Sequence, residues 1–93
     1  MGYEYEWDAI KSRRNLAKHG VPFEAVNDFD WSRSSAKEDQ RHDYGETRFI
    51  AVGPIEGRLH VLVFTWRGEK IRVIGLRKAN ERERIRHESA QEA

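Results

Sequence analysis

Residues 46–78 constrain the fold more than any other stretch of this chain. Three runs rich in apolar residues, "ETRFIAVGP", "GRLHVLVFTWR" and "KIRVIGLRK", follow one another, with the short turns "PIEG" and "GE" between them. Connections this short leave no room for a crossover helix, so the runs read as strands of an antiparallel meander. The segment "VLVF", Val61 to Phe64, is apolar at successive positions. That pattern predicts a middle strand covered on both faces.

The flanking segments read as follows. "YEYEW" alternates aromatic and acidic residues and predicts a short first strand. Asp8 is a good N-cap, and residues 9–19 read as a helix ended by Gly20. Pro22 suits the first turn of a second short helix, "PFEAVNDF". Residues 30–45, "DWSRSSAKEDQRHDYG", read as a polar connector, long for a small domain and therefore functional or mobile. In "NERE", Asn80 is an N-cap with Glu83 three residues on, close to a capping box. The helix it opens, over residues 81–93, has Ile85 as its one large apolar residue. A helix polar all round frays or needs a partner. The expectation is a single α+β domain over residues 1–93. N-terminal helices pack on an antiparallel sheet of about four strands, and a C-terminal helix follows.

Composition sets the class. At 93 residues the chain fits one domain with one modest core. Charged residues make up 35%, but three Trp, three Tyr and four Phe with a net charge of +1 argue for a folded chain. The absence of Cys excludes a disulfide framework and a thiolate zinc site. The opening "MGYEYEWDAI" lacks the regions of a signal peptide, and no apolar run approaches the roughly 18 residues that span a membrane. A soluble, cytoplasmic protein is expected. Charge is uneven: residues 1–46 carry −3 and residues 47–93 carry +4. A basic second half suits an anionic partner, either nucleic acid or an acidic protein.

The first helix has two faces. With Ala9 at zero, Ala9, Ile10, Leu16 and Ala17 fall at about 0°, 100°, 340° and 80°, the expected core stripe, with Arg13 in its middle near 40°. Lys18, Lys11, Asn15, Asp8 and His19 fall at about 180° to 280° on the opposite side. This polar arc is either a solvated face complementing the helix dipole or a surface that meets anions.

Longer patterns narrow the choice. They stand as "WDAIKSRRNLAKHGVPFEAV" (7–26), "DYGETRFIAVG" (43–53), "GRLHVLVF" (57–64) and "IRVIGLRKANERE" (71–83). The sharpest pieces are W-D-x-x-K-x-x-x-N-x-x-K-H-G-V, G-E-x-R and R-K-A. With this spacing the sequence resembles the BrnT family, the toxin halves of bacterial type II toxin–antitoxin pairs. Gly75 stands where a small polar residue is expected, and the polar connector and the tail do not match. The resemblance implies a ribonuclease with a RelE-like fold, helices against an antiparallel sheet. It also implies a small BrnA-like antitoxin that neutralises the toxin. The pair would repress its own operon, touching operator DNA through the antitoxin alone. A heterotetramer or a homodimer is compatible with such a pair.

RNA cleavage without a metal or cofactor needs a base for the 2′-hydroxyl, an acid for the leaving 5′-oxygen and cations for the charged phosphorane. The catalytic candidates are Lys18, His19, Glu46, Arg48, Arg72 and Arg77; Lys11, Asn15, Arg58 and Lys78 are candidates for binding RNA. Histidine is a residue type suited to acid or base work, and arginine binds phosphate bidentately. Glu46 and Arg48, two apart, share a strand face, where they also read as an exposed ion pair. Arg72, flanked by Ile71 and Val73, is a charge inside an apolar strand and needs a partner or a site. By strand parity it shares a face with Ile74, Leu76 and Lys78, opposite Ile71, Val73, Gly75 and Arg77. Arg58 and His60 read as surface residues by a hairpin. Asp39, His42, Asp43 and Glu46 could ligate a metal by residue type, but their spacing fits no strong motif. Trp7, Phe23, Phe29, Phe49 and Phe64 read as core; Trp31 or Trp66 is available to stack on a base. The competing class is a non-catalytic protein-binding module that acts as a co-repressor with a DNA-binding partner.

Overall fold

The computed structural model describes residues 2–92. Met1 and Ala93, the ends of the expected domain and of the expected last helix, lie outside the described residues. The chain runs β1 (Tyr5–Glu6), α1 (Ala9–His19), two 3-10 helices (Phe23–Asp28 and Trp31–Arg33) and β2 (Ser35–Asp39). Then come β3 (Arg48–Ile55), β4 (Arg58–Arg67), β5 (Lys70–Lys78) and α2 (Glu81–Glu92). The class is α+β, as expected.

The sheet departs from the expected four antiparallel strands. It has five, in the order β1-β5-β4-β3-β2, and β1 pairs parallel with β5. The fifth strand comes from the segment read as a polar connector. Ser35–Asp39 pairs residue for residue with Val52–Arg48 at the sheet edge. Its residues are exposed up to Asp39. Main-chain hydrogen bonds rather than burial make this strand, and its charged side chains suit an edge that must not pair further. The β3–β4–β5 meander is as the turns require. Glu56 (φ 50°) and Gly57 (φ 81°) form the first turn, both left-handed as in a type I′ hairpin. In β4, Val61 and Leu62 are both buried although they face opposite ways.

The core lies on one sheet face, under the first 3-10 helix. Phe23, Val26 and Phe29 are spaced by three, so a helix with about three residues per turn aligns them on one side. They bury against Leu62, Phe64, Ile71, Val73 and Leu76. Trp7, Trp31 and Phe49 are half-buried against the same cluster. Gly53 is needed here: a Cβ would sit 2.8 Å from the Phe29 ring and from Ser34 Cβ.

α1 forms over the expected span. Asp8 accepts from the N–H groups of Ile10 and Lys11, and Gly20 (φ 76°) closes it with an N–H to Leu16 O. Its orientation overturns the expected core stripe. Ile10 and Leu16 are 54% and 47% exposed. Two polar residues, Asn15 and Ser12, turn inward instead, while Lys11, Lys18 and His19 are exposed. Asn15 donates to Leu76 O (2.6 Å) and Val21 O (2.8 Å), and buried Ser12 accepts from Phe23 N–H (3.0 Å). The reason is the short edge: β1 pairs with only Ile71 and Arg72 of β5. α1 supplies the partner that the Leu76 carbonyl would otherwise lack.

The strand parity is corrected too. Val63 pairs with Gly75 and Phe64 with Val73, so Ile74 is an extra residue in a bulge. Past it, Leu76 joins Ile71 and Val73 on the buried face. Arg77 thereby shares the face of Arg72. α2 opens with the expected capping box: Asn80 Oδ1 accepts from Glu83 N–H, and Glu83 accepts from Asn80 N–H. Buried His87 ties α2 to Ser35 (3.4 Å) and to the Arg33 carbonyl (3.2 Å). Among the described residues no helix is long and apolar enough to cross a membrane.

Candidate active site

The sheet face away from the 3-10 helix carries Arg48, Thr65, Arg67 and Arg72 at one end. Their meeting follows from the ladder. The two-residue turn after β4 sets Arg67 opposite Lys70 and Thr65 opposite Arg72. Side chains two apart share a face, so Arg67 and Arg72 do as well. Thr65 donates to Thr47 O at 2.6 Å, which pins the entry of β3 beside Arg48. The N-terminal turn of α1 adds Asp8 and Lys11 from the β5 edge.

A cleft of about 250 Å³ opens between these elements. Lys11, Arg48, Arg67 and Arg72 line it, against the carboxylates of Asp8 and Glu46. Cations outnumber anions, which suits a phosphate. Glu46 sits between two guanidinium groups, 3.4 Å from Arg48 Nε and 3.6 Å from Arg67 Nη2. Arg72 gives one nitrogen to Glu6 at 2.8 Å, its neighbour across the β1–β5 pair. The backbone N–H of Lys11 lowers the pKa of Asp8, with further help from Ile10 N–H and from the charges of Lys11 and Arg72, against partial burial. Asp8 is therefore an anion committed to capping α1.

The loop after β2 closes the cleft. Asp39 is buried and accepts twice from the Arg41 side chain, at 2.8 and 3.0 Å. These bonds hold its carboxyl well below the usual range, with Arg41 N–H and the Tyr44 hydroxyl adding to the effect. Tyr44 donates to Asp39 at 3.1 Å, and its ring lies 4.0 Å from the Arg48 guanidinium. A cation over a tyrosine face is attracted to it. Asp39, Tyr44 and Arg48 thus form a chain that sets one wall of the cleft.

The structure brings together Lys11, Glu46, Arg48 and Arg72 of the sequence candidates. It leaves the others elsewhere. Lys18 and His19 are exposed at the far end of α1, about 12 Å along the helix from Lys11 to His19. Asn15 is tied to two carbonyls, so its place on an anion-facing arc is corrected. Arg77 binds Glu83 with two nitrogens, at 2.8 and 2.7 Å, which raises its own pKa and lowers that of Glu83. Lys78 stands at the same end of β5, and Arg58 at the opposite end of β4 from Arg67. His60 is buried with its Nδ1 against Arg58 O at 2.7 Å, not the surface residue expected; burial lowers its pKa. Among the described residues no histidine lines the cleft, and no three His, Asp or Glu side chains gather to hold a metal. Trp31 donates to Tyr5 OH within an aromatic cluster, while Trp66 is 43% exposed beside Tyr3.

Arg67 and Tyr44 are the residues the sequence reading passed over. The register of the two-residue turn was the signal for Arg67. A wider depression of about 430 Å³, lined by Tyr3, Glu4, Glu69 and Lys70, lies on its other side. The cations converge in the smaller cleft.

The sequence model of one protein family matches residues 7–83, and it describes the ribonuclease toxin, BrnT, of type II toxin–antitoxin systems. The chain belongs to the BrnT family. No curated protein matches it. The matched span contains every residue that lines the cleft and ends early in α2. Membership makes this chain a ribonuclease toxin at the level of the family and implies an antitoxin partner.

Proposed function

We propose that this BrnT-family chain cuts RNA in the cleft, without a metal ion, and that the cut arrests growth. The observation that carries the reading is Glu46 between Arg48 and Arg67, with Arg72 and Lys11 lining the same cleft. A scissile phosphate bound by the arginines brings its 2′-hydroxyl to Glu46. Glu46 takes the proton as the 2′-oxygen bonds to phosphorus. The three arginines stabilise the added negative charge. The bond from phosphorus to the 5′-oxygen then breaks, and Lys11 protonates the leaving oxygen. The products are a 2′,3′-cyclic phosphate and a 5′-hydroxyl, with both proton carriers reset by solvent.

The acidic loop supports the metal-free reading, because Asp39 is spent on Arg41 and Tyr44 and Asp43 accepts from Gly45 N–H. Family membership supports a BrnA-like antitoxin, repression of the operon by the pair, a RelE-like classification of the fold and a cytoplasmic place of action. The test is purified chain with RNA in EDTA, followed by analysis of product ends. Cyclic phosphate ends that persist in EDTA are expected. Intact RNA, with growth unaffected on induction, would leave only the pairing and co-repressor role.

A further inference from the structure

α1 turns its apolar residues away from the protein that carries it. Ile10 and Leu16 are about half exposed, and Ala9, Arg13 and Ala17 beside them are exposed. The rest of the fold does not reach this side, since α1 packs on β5 and the first 3-10 helix through its other face. Ala9, Arg13 and Leu16 are spaced four and three apart, and Ile10, Arg13 and Ala17 three and four. Those are the intervals of a seam between paired helices. The helix sequence AIKSRRNLAKH contains four Lys or Arg and no Asp or Glu.

Apolar seam and charge together select the occupant. A second α1 would set Arg13 and Arg14 against their own copies, with no carboxylate to meet them. Two large apolar residues are too few for a membrane surface, which takes a wide apolar face. RNA would satisfy the cations but leave Ile10 and Leu16 wet. An acidic amphipathic helix satisfies both.

We propose that the outward face of α1 docks an acidic amphipathic helix of the antitoxin, with apolar side chains on Ile10 and Leu16 and a carboxylate on Arg13. This inference rests on the antitoxin reading and is independent of the cleavage chemistry.

The test uses the full chain and the antitoxin of its system. Ile10→Glu with Leu16→Glu is expected to weaken antitoxin binding by about a hundredfold. Cleavage of RNA by the free chain and its melting temperature should not change. The chain has no Cys, so Leu16→Cys gives one thiol for a benzophenone cross-linker. It should join the antitoxin, whereas Glu69→Cys in the β4–β5 turn should not. Undiminished binding by the double variant, cross-links between two copies from position 16, or insertion of the labelled side chain into phosphatidylserine vesicles would overturn the docking face. A wild-type chain that binds no antitoxin removes the pairing itself, and this face with it.

Discussion

Arg72 and Arg77 lie on the same face of one strand, and each holds a glutamate at 2.8 Å. Their surroundings separate them. Arg72 commits one nitrogen to Glu6 and shares a cleft with Lys11, Arg48 and Arg67. Arg77 commits two nitrogens to Glu83, which is already the capping residue of α2. An arginine spent on a helix latch has little left for a phosphate. One with unspent nitrogens among other cations is costly unless an anion arrives. Residue type and strand position are alike; the neighbours decide the role.

The largest expected effect breaks this contrast at its functional end. Arg72→Ala should lower the rate of RNA cleavage by about a thousandfold, the scale seen when a preorganised charge partner of the transition state is removed. Stability should fall by about 1 kcal/mol or less, since the Glu6 pair is partly exposed. Chemical denaturation separates the two. If Arg77→Ala matched it in activity, the assignment of roles would be wrong.

Glu46→Gln should cost about a hundredfold in cleavage, as loss of a general base does. RNA affinity should hold or rise, because a carboxylate leaves the cleft. A filter-binding measurement checks this.

Asn15→Ala sharpens the comparison at the middle of β5, where α1 is hung. It strands the Leu76 and Val21 carbonyls and should cost about 1–2 kcal/mol of stability. Leu16→Ala, one residue on, should cost almost nothing, because Leu16 faces solvent. Equal losses in thermal unfolding would restore the helix face that the sequence suggests.

Arg77→Ala gives the smallest effect, about 0.5 kcal/mol for a partly exposed pair, with cleavage unchanged. The pKa of folded Glu83 is depressed by Arg77, by Asn80 N–H and by nearby charge. Its contribution is therefore full above the ordinary glutamate range and is lost as pH falls through the lower, folded value. The stability gap between wild type and Arg77→Ala should hold at neutral pH and close in acid. Circular dichroism of α2 against pH reads it.

Much of this was legible in the residues. Asp8 and Gly20 bounded α1, the two short turns required the meander, and Asn80 with Glu83 announced α2. Other features were not. β2 has almost no apolar pattern, because an edge strand is made by its neighbour's hydrogen bonds. The second short helix was expected, but its 3-10 winding, which spaces Phe23, Val26 and Phe29 by three, does not show against a period of 3.6. The inward face of α1 is polar because it serves a carbonyl rather than a core. Arg67 is a charge at a strand end, and only the turn register shows what it faces. In the site, Glu46, Arg48, Arg72 and Lys11 were nominated by chemistry and resemblance together. Lys18 and His19 were nominated by the same route and stand apart from the cleft.

The extra residue at Ile74 gives β5 two independent phases. The half before it keeps Arg72 turned to the cleft, and the half after it keeps Leu76 in the core and Arg77 on α2. Were Ile74 paired as an ordinary strand residue, with no bulge, Leu76 and Arg77 would exchange between interior and surface while Arg72 kept its aim. The strand behaves as two short strands joined by a slip coupling. Its cleft-lining end and its anchoring end are thereby aimed separately.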